Sequence, residues 1–181
     1  MSYSALGVWE VDTLNPNIVP GVAEGNIHLG TFVTGFETPA SGMPTTGVAL
    51  YTGTKNVAGV VISDPTGTVD RASLLGDASL GVNFATGAVT GTFIHMTATN
   101  AAATRTPWND VSIGASVTAG TSHFSGTTAA ATAPGTPFAV SGTATGRIDG
   151  GFYGPNANEL GAVWSLTDKG TVAVGVVHGT P

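Results

Sequence analysis

This sequence predicts an all-β protein: an eight-stranded antiparallel β-barrel preceded by a short N-terminal β segment. Three observations carry that prediction. The 181 residues include 27 Gly and 10 Pro with only 9% charged side chains, and Thr is at least as frequent as Gly. Thr and Val suit pleated, half-buried surfaces, while Gly and Pro punctuate them. No window long enough for a stable helix sustains an i, i+3, i+4, i+7 apolar pattern in good helix formers. From residue 46 onward, apolar alternation returns again and again between short turn signals, the spacing of an antiparallel barrel or sandwich.

The elements follow in order. Residues 3–11 (YSALGVWEV) read as a first strand, with Tyr3, Ala5, Gly7, Trp9 and Val11 on one face and Trp9 assigned to the core. Asn15-Pro-Asn and Pro20-Gly break the chain, 28–35 (HLGTFVTG) is a second strand, and 36–45 is a Pro/Gly loop. Residues 1–45 thus form strands and a loop packed on the barrel, which occupies 46–181. Residues 47–53 and 57–63 read as a hairpin about Thr54-Lys-Asn, and Asp64-Pro-Thr-Gly as a turn. Residues 72–84 and 88–98 flank Ala85-Thr-Gly as a second hairpin, and 99–106 read as an exposed loop. Residues 109–118 and 121–127 make a third hairpin about Ala119-Gly, and 129–137 is Ala/Thr/Pro-rich and loop-like. Residues 138–153 alternate as a strand, and 160–167 and 171–178 close the series about Asp168-Lys-Gly. Alternation places Trp164, Leu160, Val172, Val174 and Phe93 in the interior.

The bulk chemistry excludes several functions. A net charge of −6 and five Lys and Arg build no basic footprint for nucleic acid or an anionic membrane. With no cysteine there is no disulfide framework, thiolate metal ligand, cysteine nucleophile or lipidated Cys in this chain. Residues 1–20 lack a basic region followed by an apolar one, so no signal peptide is expected, and Met1 directly before strand-like sequence points to a mature or trimmed chain. Aromatics at 7% and Thr/Ser-rich exteriors favour a barrel that does not span a membrane.

The stretch Gly151-Phe-Tyr-Gly-Pro-Asn-Ala-Asn-Glu-Leu-Gly161, with Trp164-Ser-Leu and Gly175-Val-Val, resembles the C-terminal barrel of transferrin-binding protein B. It is similar to the transferrin-binding-protein-like solute-binding proteins of Gram-negative bacteria. Thr38-Pro, Met43-Pro-Thr-Thr-Gly-Val-Ala-Leu-Tyr, Val82-Asn-Phe before Val89-Thr-Gly, and Tyr3…Gly7-Val-Trp9 support the resemblance, which covers most of 38–181. It implies an eight-stranded barrel with a "handle" sheet at its side. It also implies a secreted or surface-anchored protein that captures iron sources or other host molecules. The chain differs from the larger members in having one barrel, a short N-terminal segment and no lipid-attachment Cys. Read from the residues alone, the motif is a strand–turn–strand joint. Gly154-Pro155 ends a strand, Asn156 caps one helical turn with Glu159 three residues on, and Leu160, Ala162, Trp164 and Leu166 point inward.

Candidate chemistry is sparse. His28, His95, His123 and His178 are at least 28 positions apart, so no local metal-ligand spacing exists. Met96 beside His95 faces the opposite side of a strand. No GxSxG elbow or phosphate loop is present, and the aspartates sit in or beside turns, so an enzyme is not expected. The binding candidates are His28, as a possible haem ligand, and Trp108 at a loop exit, read either as an exposed anchor or as packed beneath the loop. Loops 36–45 and 99–108 are expected to carry the contacts. The reading is a non-enzymatic surface or secreted module that captures haem, a host iron protein or another solute for an outer-membrane receptor. The alternative is a structural or adhesive barrel with no small-molecule ligand.

Overall fold

The computed structural model describes residues 2–14, 25–63 and 69–181. Two sheets form. A two-stranded handle pairs β1 (Ser4–Leu14) antiparallel with β2 (Gly25–Gly35). The barrel is built from β3 (Val48–Ser63), β4 (Asp70–Asn83), β5 (Ala88–Asn100), β7 (Val111–Val117), β8 (His123–Ala130), β9 (Thr145–Tyr153), β10 (Glu159–Asp168) and β11 (Thr171–Gly179). Its strand order is β4-β3-β11-β10-β9-β8-β7-β5, and β4 pairs with β5 to close the ring. A short extra strand, β6 (Arg105–Pro107), lies along the far half of β5. The helical content among the described residues is one 3₁₀ turn, Ala40–Gly42. Closure leaves no barrel strand with a free edge, which in an antiparallel sheet would invite pairing with another chain. Residues 15–24 and 64–68, with the turns expected there, lie outside the described residues.

Alternation fills the interior. Leu160, Ala162, Trp164 and Leu166 of β10 all point inward and are buried, as the sequence predicts. Phe93 and Ile148 join them from β5 and β9. Aromatic rings form two groups. Phe152 meets Phe124, Tyr51 and Phe84 at centroid distances of 5.6, 5.7 and 5.8 Å. Trp164 meets Phe93 at 5.6 Å and Trp108 at 6.2 Å. The indole of Trp164 needs space on the strands beside it. Gly175 is its register partner and Gly59 is the next residue across. A Cβ on Gly175 would stand 2.7 Å from the ring, and one on Gly59 3.2 Å. The outward positions carry Ser73, Asp77 and Ser79 on β4 and His123, Ser125 and Thr127 on β8.

The structure corrects several expectations. Residues 48–63 are one continuous strand, not a hairpin. Lys55 does take a left-handed φ of 54°, but the result is a bulge between Gly53 and Val57. Asp77 accepts the Lys55 N–H at 2.8 Å, and Asn56 bridges the gap by accepting from Ala78 N–H and donating to the His178 carbonyl. With those groups satisfied, the strand continues. Residues 99 and 100 prolong β5 and 105–107 form β6, so the expected 99–106 loop shrinks to a turn. Residues 138–144 are turns, and β9 begins only at Thr145. On β11 the parity is inverted: Thr171, Ala173, Gly175 and Val177 face in, while Val172 is 42% exposed and Val174 is half-buried. Trp9 is 48% exposed on the outer face of the handle.

Glu159 does not cap a helical turn. It opens β10, and its buried carboxylate reaches out to the handle. The backbone N–H groups of Tyr3 and Ser4 donate to Oε1 and Oε2, each at 2.9 Å, and Ser4 Oγ donates to Oε2 at 2.6 Å. His178 Nε2 stands 3.3 Å from Oε2. Burial alone pushes this carboxyl upward, but the bonds from Ser4 and Tyr3 and the neighbouring His178 outweigh it and hold the pKa below the ordinary glutamate value. The handle also seats Val33 and Leu6 over Gly161 of β10. Beyond β2, Phe36 N–H donates to Tyr3 O, Gly154 N–H to Phe36 O, and Thr38 Oγ1 to Gly154 O.

Two outcomes are expected. Trp164→Ala should cost on the order of 3–5 kcal/mol in chemical denaturation, while Val172→Ser should change stability by less than about 0.5 kcal/mol. Because ionised Glu159 is the bonded form and its folded pKa is depressed, its contribution is complete at neutral pH and is lost as pH falls below the ordinary glutamate range. Amide exchange of the handle should therefore accelerate below about pH 4 while the barrel stays protected. Glu159→Gln should show the same loosened handle at neutral pH.

Candidate partner-binding face

One end of the barrel is sealed. The segment 131–144 folds back over it and is stitched to the stretch between β6 and β7. Asn109 is fully buried: its Nδ2 donates to the Thr132 and Val140 carbonyls at 2.5 and 2.9 Å, and its Oδ1 accepts from Val140 N–H at 2.8 Å. Trp108 lies beside it at 2% exposure, with its indole N–H donating to the Phe138 carbonyl at 2.8 Å and its ring against Trp164. Asp168 accepts the Ser141 N–H at 2.8 Å, and that bond holds its carboxyl below the usual range. The reading of Trp108 as an exposed anchor is therefore corrected. A large ring with one polar atom, preceded by a loop, finds both its apolar seat and its acceptor in the segment that closes the barrel.

The other end presents surface. Loop 36–45, the β4–β5 turn at 84–87 and the β7–β8 turn around 118–122 surround a depression of about 340 Å³, lined by Met43, Pro44, Phe84, Val117, Thr118 and Ala119. Its walls are fixed by backbone bonds. Phe84 N–H donates to Gly47 O at 3.0 Å, Val117 N–H to Gly87 O at 2.8 Å, and Gly42 N–H to Pro39 O at 2.7 Å. Beneath it the Tyr51 hydroxyl donates to Ala157 O at 2.7 Å, and burial pushes its pKa up to about 12. Among the described residues no charged side chain lines the depression. Phe36, 80% exposed, stands where the loop leaves the handle. The outer face of the handle adds a second apolar surface, where register places Trp9 opposite Gly30, Gly7 opposite Phe32 and Val11 opposite His28. Trp9, Val11, Phe32 and His28 are all exposed there.

The four expected binding features are therefore not gathered at one point. His28 is on the handle, loop 36–45 is at the presenting end, and the 99–108 segment and Trp108 are at the sealed end. The histidines other than His28 each face a carboxylate: His95 Nδ1 lies 2.9 Å from Asp77, His123 Nε2 3.3 Å from Glu37, and His178 3.3 Å from Glu159. Hydrogen bonds from Lys55 N–H and His95 hold Asp77 below the usual range. Among the described residues no group of three His, Asp or Glu is spaced to hold a metal ion. The turns at 84–87 and 118–122 were read in the sequence only as hairpin connections. A usable signal was there: in an up-and-down barrel alternate connections share an end. That order joins 36–45 to the second and fourth connections and sends Trp108 to the opposite mouth.

The barrel is filled by its own side chains, stitched at one end, and ringed at the other by loops fixed through backbone hydrogen bonds. The chain belongs to the family described as the C-lobe and N-lobe beta barrels of Tf-binding protein B, whose profile matches residues 43–180. That is a family of binding proteins, and this chain is a binding module, not an enzyme. Among solved structures it is similar to intact Ap-TbpB with its N and C lobes, at 19% identity and TM-score 0.64 over 99% of this chain and 34% of that one. It is similar also to a TbpB mutant from Haemophilus parasuis Hp5, at 18% identity and TM-score 0.65 over 99% and 33% of the two chains. A third likeness is to a surface lipoprotein, at 17% identity and TM-score 0.56 over 99% and 77%. The chain spans about one third of the length of the first two. No curated protein matches it by sequence. Among the described residues no helix is long and apolar enough to cross a membrane.

The two tryptophans should behave oppositely. Trp108→Ala is expected to destabilise the protein by on the order of 3–5 kcal/mol, whereas Trp9→Ala should cost less than about 1 kcal/mol. Urea denaturation of both variants checks the assignment.

Proposed function

We propose that this chain is a surface-displayed module that captures a host iron source, an iron-carrying protein or haem, and passes it to an outer-membrane receptor. The observation that carries this reading is the division of the barrel into a sealed end and a presenting end, in a family whose solved members include transferrin-binding protein B. A protein partner would bury Phe36 and the depression between Met43 and Phe84, an apolar centre with fixed backbone around it, the arrangement that concentrates binding energy in a few residues. Haem would use the handle, where His28 stands beside Val11, Trp9 and Phe32 on one face and supplies an imidazole ligand. The second reading, a structural or adhesive module, is favoured by the lack of charge around the depression.

The test is to measure host transferrin by surface plasmon resonance and haem by absorbance titration. The proteins are wild type, Phe36→Ser with Met43→Ser, and His28→Ala. Transferrin binding weakened about tenfold or more by the double variant supports the protein-capture form. Haem binding lost in His28→Ala supports the haem form. If neither ligand binds wild type, the capture reading fails and the structural one stands.

A further inference from the structure

Between the handle and the barrel wall lies a second concavity, on the outside of β8 and β9, with a volume of about 330 Å³. That is within the size range of small-molecule sites. Its rim carries Glu37 on one side and Asp149 on the other, with His123 and Tyr153 between the handle and the wall. Tyr153 is the unusual member. Its ring lies outward across the paired Gly151 and Gly161, beneath Val33 of the handle, so that the residue is only 3% exposed. The hydroxyl stands over Gly151, close to His123 Nδ1; a Cβ on that glycine would lie 3.7 and 3.5 Å from the two. Among the described residues this hydroxyl makes no hydrogen bond within the protein, and it lines the cleft. The ring is buried while the hydroxyl opens to the cleft, where a bound molecule with an N–H can donate to it.

The charge around the cleft defines what would complete it. The Glu37 carboxylate is close enough to Tyr153 that, after burial itself, it raises the phenol's pKa. Among the described residues no Lys or Arg lines the cleft. Arg147 touches Asp149 only from outside, at 3.9 Å between exposed groups, a contact of little strength. His123 Nε2, 3.3 Å from Glu37, is a competing donor. Such a rim repels anions, and no trio of ligating groups spaced for a metal occurs among the described residues.

We infer that the handle–barrel cleft binds a small organic cation bearing N–H donors, an ammonium or guanidinium compound, held by Glu37 and Asp149 and by a hydrogen bond to the Tyr153 hydroxyl. Gly151 forms the floor and leaves the room. This site is separate from the presenting end, and its occupancy does not depend on which macromolecule, if any, docks there.

Calorimetric titration of the full chain with agmatine at low salt tests it. One-to-one binding is expected, weakened about tenfold in Glu37→Gln and in Asp149→Asn by loss of a charge-assisted bond. Gly151→Val should abolish it by filling the floor. Tyr153→Phe should weaken binding several-fold, yet leave the melting temperature unchanged, because the hydroxyl serves nothing in the fold. The inference is overturned if agmatine does not bind, if the carboxylate variants bind it equally, or if Tyr153→Phe lowers the melting temperature. Binding of acetyl-arginine-amide but not agmatine would assign the cleft to an arginine side chain of a partner and overturn the free-solute form. None of these results bears on the transferrin and haem titrations.

Discussion

A ring of eight strands encloses a space just wide enough for its own side chains, and here that space is full. Trp164 lies against two glycines, Phe152 gathers three aromatic rings, and Trp108 and Asn109 close one end. Everything else follows from that filling. Ligands must be met outside the barrel, on its end or on its wall. The handle must find its seat outside too, and a two-stranded ribbon in water is marginal by itself. It therefore needs a specific attachment, which the barrel supplies in the Glu159 carboxylate and in the seat of Val33 and Leu6 over Gly161.

Glu159 shows how a buried charge can be tolerated without a full counter-charge. Two backbone N–H groups and a hydroxyl from consecutive residues of the handle converge on its two oxygens, and an imidazole stands at the open side. The arrangement also answers why the motif runs Phe-Tyr-Gly-Pro-Asn-Ala-Asn-Glu-Leu-Gly. Phe152 and Leu160 fill the core, Tyr153 lies outward under the handle, and Gly154 turns the chain at φ 83°. Glu159 holds the handle, and Gly161 makes room for Val33.

Much of the fold was legible because closed antiparallel barrels repeat a period-two pattern with turns at short intervals. The hairpins about 84–87, 118–122 and 169–170 and the inward set Leu160 to Leu166 came directly from it. What was missed depends on distant partners. Thr54-Lys-Asn has turn chemistry, and only the acceptors on Asp77 and His178 convert it to a bulge. On β11 both parities are rich in valine, so the pattern alone does not choose a face, and the packing of Trp164 on Gly175 does. Trp9 looks like a core residue, but its strand belongs to a ribbon with only one covered face. Trp108 looks free until segment 131–144 is folded over it. The cleft was invisible for the same reason: Glu37, His123 and the pair Asp149 and Tyr153 of β9 come from three distant places in the chain.

The attachment of the handle also has a temporal meaning. The amide of Tyr3 bonds an acceptor 156 positions later, and the ring closes where Val57 of β3 meets Val177 of β11. Loop-closure entropy opposes both contacts until partners so remote in sequence are brought together, and such long-range pairing is slow. Both contacts become possible only with the β10–β11 hairpin, which carries Glu159 on one strand and the closing edge on the other. The handle and the barrel are thus completed together by the last hairpin of the chain. A ribosome or export channel still holding those residues would be holding an open sheet.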